Sequence, residues 1–104
     1  MDESEFNDRV DDLFMEFEDV LDDSDLDLDI DTSGGLLTIG FPNGTTVVLS
    51  RQPVNREIWV AAKSGGFHLS ARDATWFCNT SGEELSELMN RVFSEQLEQA
   101  FNLF

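Results

Sequence analysis

The chain has 104 residues, one cysteine, and twenty-two acidic against six basic residues, a formal net charge of −16 at pH 7. That length makes one domain over residues 1–104, and an apolar share of 40% can bury a modest core, while the single Cys78 excludes an internal disulfide and any CxxC metal scaffold. The acidity excludes nucleic acid and anionic membrane as partners. The start, Met1-Asp2-Glu3-Ser4-Glu5, lacks the apolar region of a secretory signal and no apolar run is long enough to span a bilayer, so a cytoplasmic protein is expected.

The first predicted element is an amphipathic helix over about residues 3–22. Phe6, Val10, Leu13, Phe14, Phe17 and Leu21 recur at helical spacing, and Asp8, Asp11, Asp12, Glu18, Asp19 and Asp22 fall on the opposite side. Short strands follow. Leu26, Leu28 and Ile30 alternate with Asp25, Asp27, Asp29 and Asp31, a period-two pattern that predicts a strand ending at the Gly34-Gly35 turn. Leu37, Ile39 and Phe41 mark a second strand, and Asn43-Gly44 is a hairpin signal leading to a third near residues 45–50. Strands at 57–63, 66–71 and 75–78 complete the series.

The last element is a second helix. Thr80 with Glu83, and Ser81 with Glu84, offer two overlapping capping boxes before an apolar stripe of Leu85, Leu88, Met89, Val92, Phe93, Leu97, Ala100 and Phe101. Short turns between strands imply an antiparallel sheet. The expected fold is α+β, a two-layer sandwich with two helices packed on one face of a roughly six-stranded sheet.

Charge is distributed very unevenly over these elements. Residues 1–31 hold fifteen acids against Arg9 alone, whereas residues 32–104 hold seven acids against five bases. Glu18, Asp19, Asp22, Asp23, Asp25, Asp27, Asp29 and Asp31 form a ridge running from the helix end onto the first strand. Two like charges about 7 Å apart repel by roughly 0.6 kcal/mol even in water. Asp22 and Asp23 also oppose the helix dipole. A solvated edge strand could be protected more cheaply by lysines, so the crowding marks the ridge as a functional candidate. Alternate strand residues stand about 6.6–6.8 Å apart, too far for one ion, whose oxygens must lie within about 2–2.6 Å. The ridge therefore offers several loose, water-rich sites for hard cations, ferric iron among them.

Other candidates are few. Trp59 alternates against Ile58, Val60 and Ala62 and is expected on the open face of the sheet with Glu57 and Lys63, either as a binding anchor or covered by its neighbours. His68, alternating with Phe67 and Leu69, should face the same way, while Trp76 and Cys78 are expected to pack inside. One His and one Cys give nucleophilic catalysis little to work with. No phosphate loop appears.

In order along the chain, Ser4-Glu5-Phe6, Leu21-Asp22-Asp23, the alternating acids to Asp31, Gly34-Gly35, Leu37-Thr38-Ile39, Phe41 with Asn43-Gly44, Arg51-Gln52, Ile58-Trp59-Val60-Ala61, Gly65-Gly66-Phe67-His68, Trp76-Phe77-Cys78 and Ser81-Gly82-Glu83 resemble the bacterial frataxins, the CyaY family, over essentially the whole length. The resemblance implies a frataxin-like fold and a regulator of iron–sulfur cluster assembly. It implies iron, ferrous or ferric, held weakly and reversibly on the eight-residue ridge, with other divalent cations accepted. It also implies a cysteine desulfurase as partner, with the scaffold protein joining the complex, and partner contacts at Trp59, Gln52, Arg51, Asp22 and Asp23. A monomer is expected, with iron-driven oligomers as an alternative state. The chain departs from the family pattern at Ser50, Pro42, Asn7 and Asn55. A protein that is not itself an enzyme is expected, because a ferroxidase needs His-bearing paired-metal ligands that the ridge lacks. Ferroxidase or iron-storage activity, iron donation, and mimicry of nucleic-acid charge stay open as other uses of the same acids.

Overall fold

The computed structural model describes residues 1–98 and 104. The first helix, α1, runs from Glu3 to Asp23 and opens on Asp2, whose carboxylate accepts the backbone N–H of Glu5 at 2.8 Å. Its predicted stripe is the buried one: Phe6, Val10, Phe14, Phe17 and Leu21 are all buried, and Leu13 packs against them. Ser24 ends the helix by donating both its N–H and its hydroxyl to the Leu21 carbonyl.

Six strands follow in a single antiparallel sheet whose spatial order equals the chain order: β1 Asp29–Ser33, β2 Leu36–Gly40, β3 Thr46–Gln52, β4 Glu57–Ala62, β5 Gly65–Arg72 and β6 Thr75–Cys78. The second helix, α2, covers Leu85–Leu97. Strand alternation gives the sheet two faces. Leu37, Ile39, Val47, Leu49, Ile58, Val60, Leu69, Trp76 and Cys78 turn toward the helices and are buried with both helical stripes in one core. The register across the other face pairs Leu36 with Ser50, Ser50 with Trp59 and Trp59 with His68. The architecture is the expected α+β sandwich with both helices on one face. Trp76 and Cys78 are inside, as expected, with the Trp76 ring edge-on to Phe6 at 5.8 Å.

Two boundaries differ from expectation. The first strand starts at Asp29 rather than Asp25. Its partner β2 runs out at Gly40, which pairs with Asp29, because Phe41 turns into the core and closes the hairpin through its bond to the Thr45 carbonyl. Residues before Asp29 thus have no strand to pair with, and Leu28 bonds back to the Leu26 carbonyl instead. The in–out alternation persists nonetheless: Leu26, Leu28 and Ile30 are half-buried, and Asp25, Asp27, Asp29 and Asp31 are exposed.

The second difference is the start of α2. Neither Thr80 with Glu83 nor Ser81 with Glu84 caps it; the box is Glu84 with Glu87, whose Oε1 accepts the Glu84 N–H at 3.2 Å. The intervening residues are occupied otherwise. Glu83 accepts the Cys78 N–H through its carbonyl, and Phe77 forms a bridge with Glu84. The chain must first lie beside β6, so helical geometry can begin only at Leu85. The far end of α2 is tied down by buried Gln96, which accepts the Lys63 N–H and donates to Thr45 Oγ1 and the Thr46 carbonyl. Ala100 and Phe101 of the predicted stripe lie outside the described residues.

Candidate functional site

The eight ridge carboxylates come from three pieces of chain. Glu18, Asp19, Asp22 and Asp23 are on the last turns of α1, Asp25 and Asp27 on the extended connection, and Asp29 and Asp31 on β1. Thr32 faces the helix layer and donates its hydroxyl to Glu18 Oε1 at 2.9 Å, which seats the end of α1 beside β1. Asp29 and Asp31, one residue out of phase with Thr32, point to the opposite face. The ridge therefore wraps the β1 edge of the sheet and does not lie in one plane. Gly40 opposite Asp29 brings no side chain to cover that carboxylate.

Among the described residues no base neutralises these acids. The ion pairs among the described residues are Arg51–Asp11, Arg91–Glu83 and Arg91–Glu95, and none reaches the ridge. Glu18 is half-buried and the other seven are exposed. Asp31 accepts a hydrogen bond from Ser33 Oγ at 3.1 Å. Among the described residues no group of three or more His, Cys, Asp or Glu side chains is assembled to hold a metal ion. The donor set is oxygen only, which fits hard cations. Its spread fits loose, hydrated association better than a closed cage.

The second candidate is the open face of the sheet around Trp59. The half-buried indole lies flat on the exposed His68 imidazole, with ring centres 4.2 Å apart and planes 7° from parallel. One face of the Trp59 ring is thus covered by its neighbour while the ring remains at the surface. Its Nε1–H donates to Glu57 Oε1 at 2.8 Å, and Glu57 Oε2 accepts from Asn79 Nδ2 at 3.0 Å. Gln52 joins this face and donates to Ser50 Oγ at 2.8 Å.

Arg51 does not join them. It shares strand parity with Val47 and Leu49 and so points into the helix layer. There it donates to Asp11 Oδ1 at 2.6 Å and Asn7 Oδ1 at 3.3 Å, and lies over the Phe14 ring at 5.4 Å. Its side chain is 19% exposed and fastens α1 to the sheet. The structure therefore separates Arg51 from Trp59 and Gln52 by the thickness of the sheet, although it adjoins Gln52 in sequence. Asn79 is the residue of this face that sequence reasoning missed. Glu57 was legible from its spacing to Trp59, whereas Asn79 lies twenty residues away and meets Glu57 only through the β4–β5–β6 pairing.

The perturbed titratable groups lie elsewhere. Burial pushes the Cys78 thiol up, but hydrogen bonds from the side chains and backbone of Ser81 and Thr80 outweigh it and bring it down to about 7. Hydrogen bonding to Arg91 holds Glu83 below the usual carboxylate range, and the same contact raises Arg91.

A family model described as a frataxin-like domain matches residues 1–99. Two curated relatives carry the name iron-sulfur cluster assembly protein CyaY. The one from Stutzerimonas stutzeri is 49% identical over 96 residues, covering 90% of this chain and 87% of its own. The one from Pseudomonas aeruginosa is 50% identical over 98 residues, covering 92% and 91%. Among solved structures, the frataxin of Psychromonas ingrahamii superimposes with a TM-score of 0.90 at 28% identity, covering 100% of this chain and 99% of that one. A trimeric frataxin from Saccharomyces cerevisiae, complexed with ferrous iron, gives 0.69 at 27% identity over 89% and 85% of the two chains.

Proposed function

The chain belongs to the frataxin family, and from that premise we propose that it serves iron–sulfur cluster assembly as an iron-responsive regulator, not as an enzyme. The observation that carries this reading is the wrapped ridge: eight carboxylates, seven of them exposed, with no base paired to any of them among the described residues. Such a surface attracts two kinds of partner. Ferrous or ferric iron associates with it weakly and reversibly, each ion held by one or two carboxylates and completed by water. A basic protein surface docks on it through long-range attraction that speeds encounter and fixes orientation. In this reading the basic partner is the cysteine desulfurase that the sequence resemblance implies, with the scaffold protein meeting the open sheet face at Trp59 and Gln52.

The acids do the work in both cases. Iron bound at the ridge lowers its negative potential, and a docked desulfurase covers the same carboxylates. The protein would then report iron supply through how firmly it holds the desulfurase. The monomer suffices for this, and the trimeric yeast relative makes iron-driven association a second state worth measuring. The test is an iron titration followed by backbone amide NMR under anaerobic conditions. Graded shifts confined to residues 18–31, saturating weakly, are expected. A response spread evenly over the chain, or centred on His68 or Cys78, would contradict the assignment of iron to the ridge.

A further inference from the structure

Trp59, His68, Glu57 and Asn79 form a closed circuit. The indole stacks on His68 and donates its N–H to Glu57 Oε1. Glu57 Oε2 accepts the Asn79 side-chain amide, and the Asn79 backbone N–H donates to the His68 carbonyl at 2.8 Å. Each contact restrains a different freedom of the ring. The stack fixes its plane, the N–H bond fixes its rotation within that plane, and Asn79 fixes the carboxylate that holds the N–H.

Glu57 is the hinge of this circuit, because among the described residues its side chain is the one that hydrogen-bonds both the indole and the turn after β6. It is half-buried and makes no ion pair among the described residues. A Trp left free on an open sheet would sample several rotamers, and ordering it would weaken any complex it entered. Here the order exists before a partner arrives. The arrangement also dictates what the partner can offer. With the indole N–H already bonded, Trp59 presents only ring surface and carbon edge, so a flat or apolar side chain matches it and a hydrogen-bond acceptor does not.

We propose that Glu57 is a positioning residue, which sets the Trp59 indole against His68 in one orientation for a protein partner that docks by ring contact. The proposal rests on the reading of the open face as a docking surface, and the experiment separates the two. The indole N–H of Trp59 and the ring protons of His68 are followed by NMR in the wild type, Glu57→Ala and Glu57→Gln. Binding to purified desulfurase–scaffold complex is measured for the same proteins and for Trp59→Ala.

Glu57→Ala should shift the Trp59 indole resonance, accelerate its exchange with solvent and collapse the ring-current shifts at His68. The remaining amide spectrum should stay folded. Glu57→Gln keeps an acceptor for the indole and should restore most of the signal. Binding should weaken about two- to tenfold in Glu57→Ala, the cost of ordering a ring that is no longer held, and recover in Glu57→Gln. Unmoved indole and His68 resonances in Glu57→Ala would overturn the positioning role. Moved resonances with unchanged binding, while Trp59→Ala binds poorly, would overturn its purpose. Unchanged binding in Trp59→Ala would instead remove the docking surface itself, and the role of Glu57 in holding the ring would then stand or fall on the spectra alone.

Discussion

In the proposed function, the β1 edge and the open sheet face would solve recognition in opposite ways. At the edge, eight carboxylates stand with few partners, and among the described residues only Glu18 and Asp31 of them accept side-chain hydrogen bonds. On the face, the Trp59 ring, the Glu57 carboxylate and the Asn79 amide are all engaged with one another before anything binds. Charge acts through space and tolerates loose geometry, so the ridge needs number more than order. Ring contact falls off within van der Waals distance, so the face needs order more than number. One small domain can carry both because the helices occupy only one side of its sheet.

The largest effect should come from reversing the ridge. Converting Asp22, Asp23, Asp25 and Asp27 to Lys should lower desulfurase affinity by at least about a hundredfold, since like charges would then face each other across the interface. Calorimetric titration at moderate salt checks this, and unchanged binding would erase the contrast between the two regions. Trp59→Ala should cost about tenfold in affinity for the desulfurase–scaffold complex, with little change in salt dependence. A steep change in salt slope would mean that the face works by charge after all.

Arg51 sharpens the boundary between the regions. Because it pairs with Asp11 and covers Phe14, Arg51→Ala should destabilise the fold by about 1–3 kcal/mol in urea unfolding. Partner affinity should be unchanged once the protein is folded. A loss of affinity without loss of stability would return Arg51 to the docking surface. The smallest effect belongs to the surface pair Arg91–Glu83, worth well under about 1 kcal/mol. Folding depresses the Glu83 carboxyl, so its contribution is complete above the ordinary carboxylate range and is lost as pH falls through the folded value. The stability difference between wild type and Glu83→Gln should therefore shrink on acidification. A difference that grows would reverse the sign.

Much of this architecture was legible because periodicity survives folding. The stripe from Phe6 to Leu21 and the alternation from Leu26 to Ile30 are read directly as burial. What escaped depended on where a neighbouring strand ends. Asp25 and Asp27 keep the alternation but lose the strand, because Gly40 is the last residue able to pair. The cap of α2 moved to Glu84 because Glu83 and Glu84 first pair back onto Cys78 and Phe77 at the end of β6, a short reversal that the capping-box pattern does not register. Arg51 and Gln52 adjoin in sequence, but strand parity sends their side chains to opposite faces, which the resemblance alone does not convey. The acidic ridge was visible as charge; its wrapping around an edge was not, since that follows from the Thr32–Glu18 contact across the fold.

In the proposed function, one set of carboxylates, none of them in an ion pair among the described residues, serves both iron and protein. The most direct test measures desulfurase affinity by calorimetry or light scattering while anaerobic ferrous iron is raised, with the sheet face intact. Affinity for the desulfurase should fall progressively as iron fills residues 18–31, and the Trp59 indole resonance should stay fixed throughout the iron titration. Desulfurase affinity that holds constant while iron saturates the ridge would contradict the shared surface.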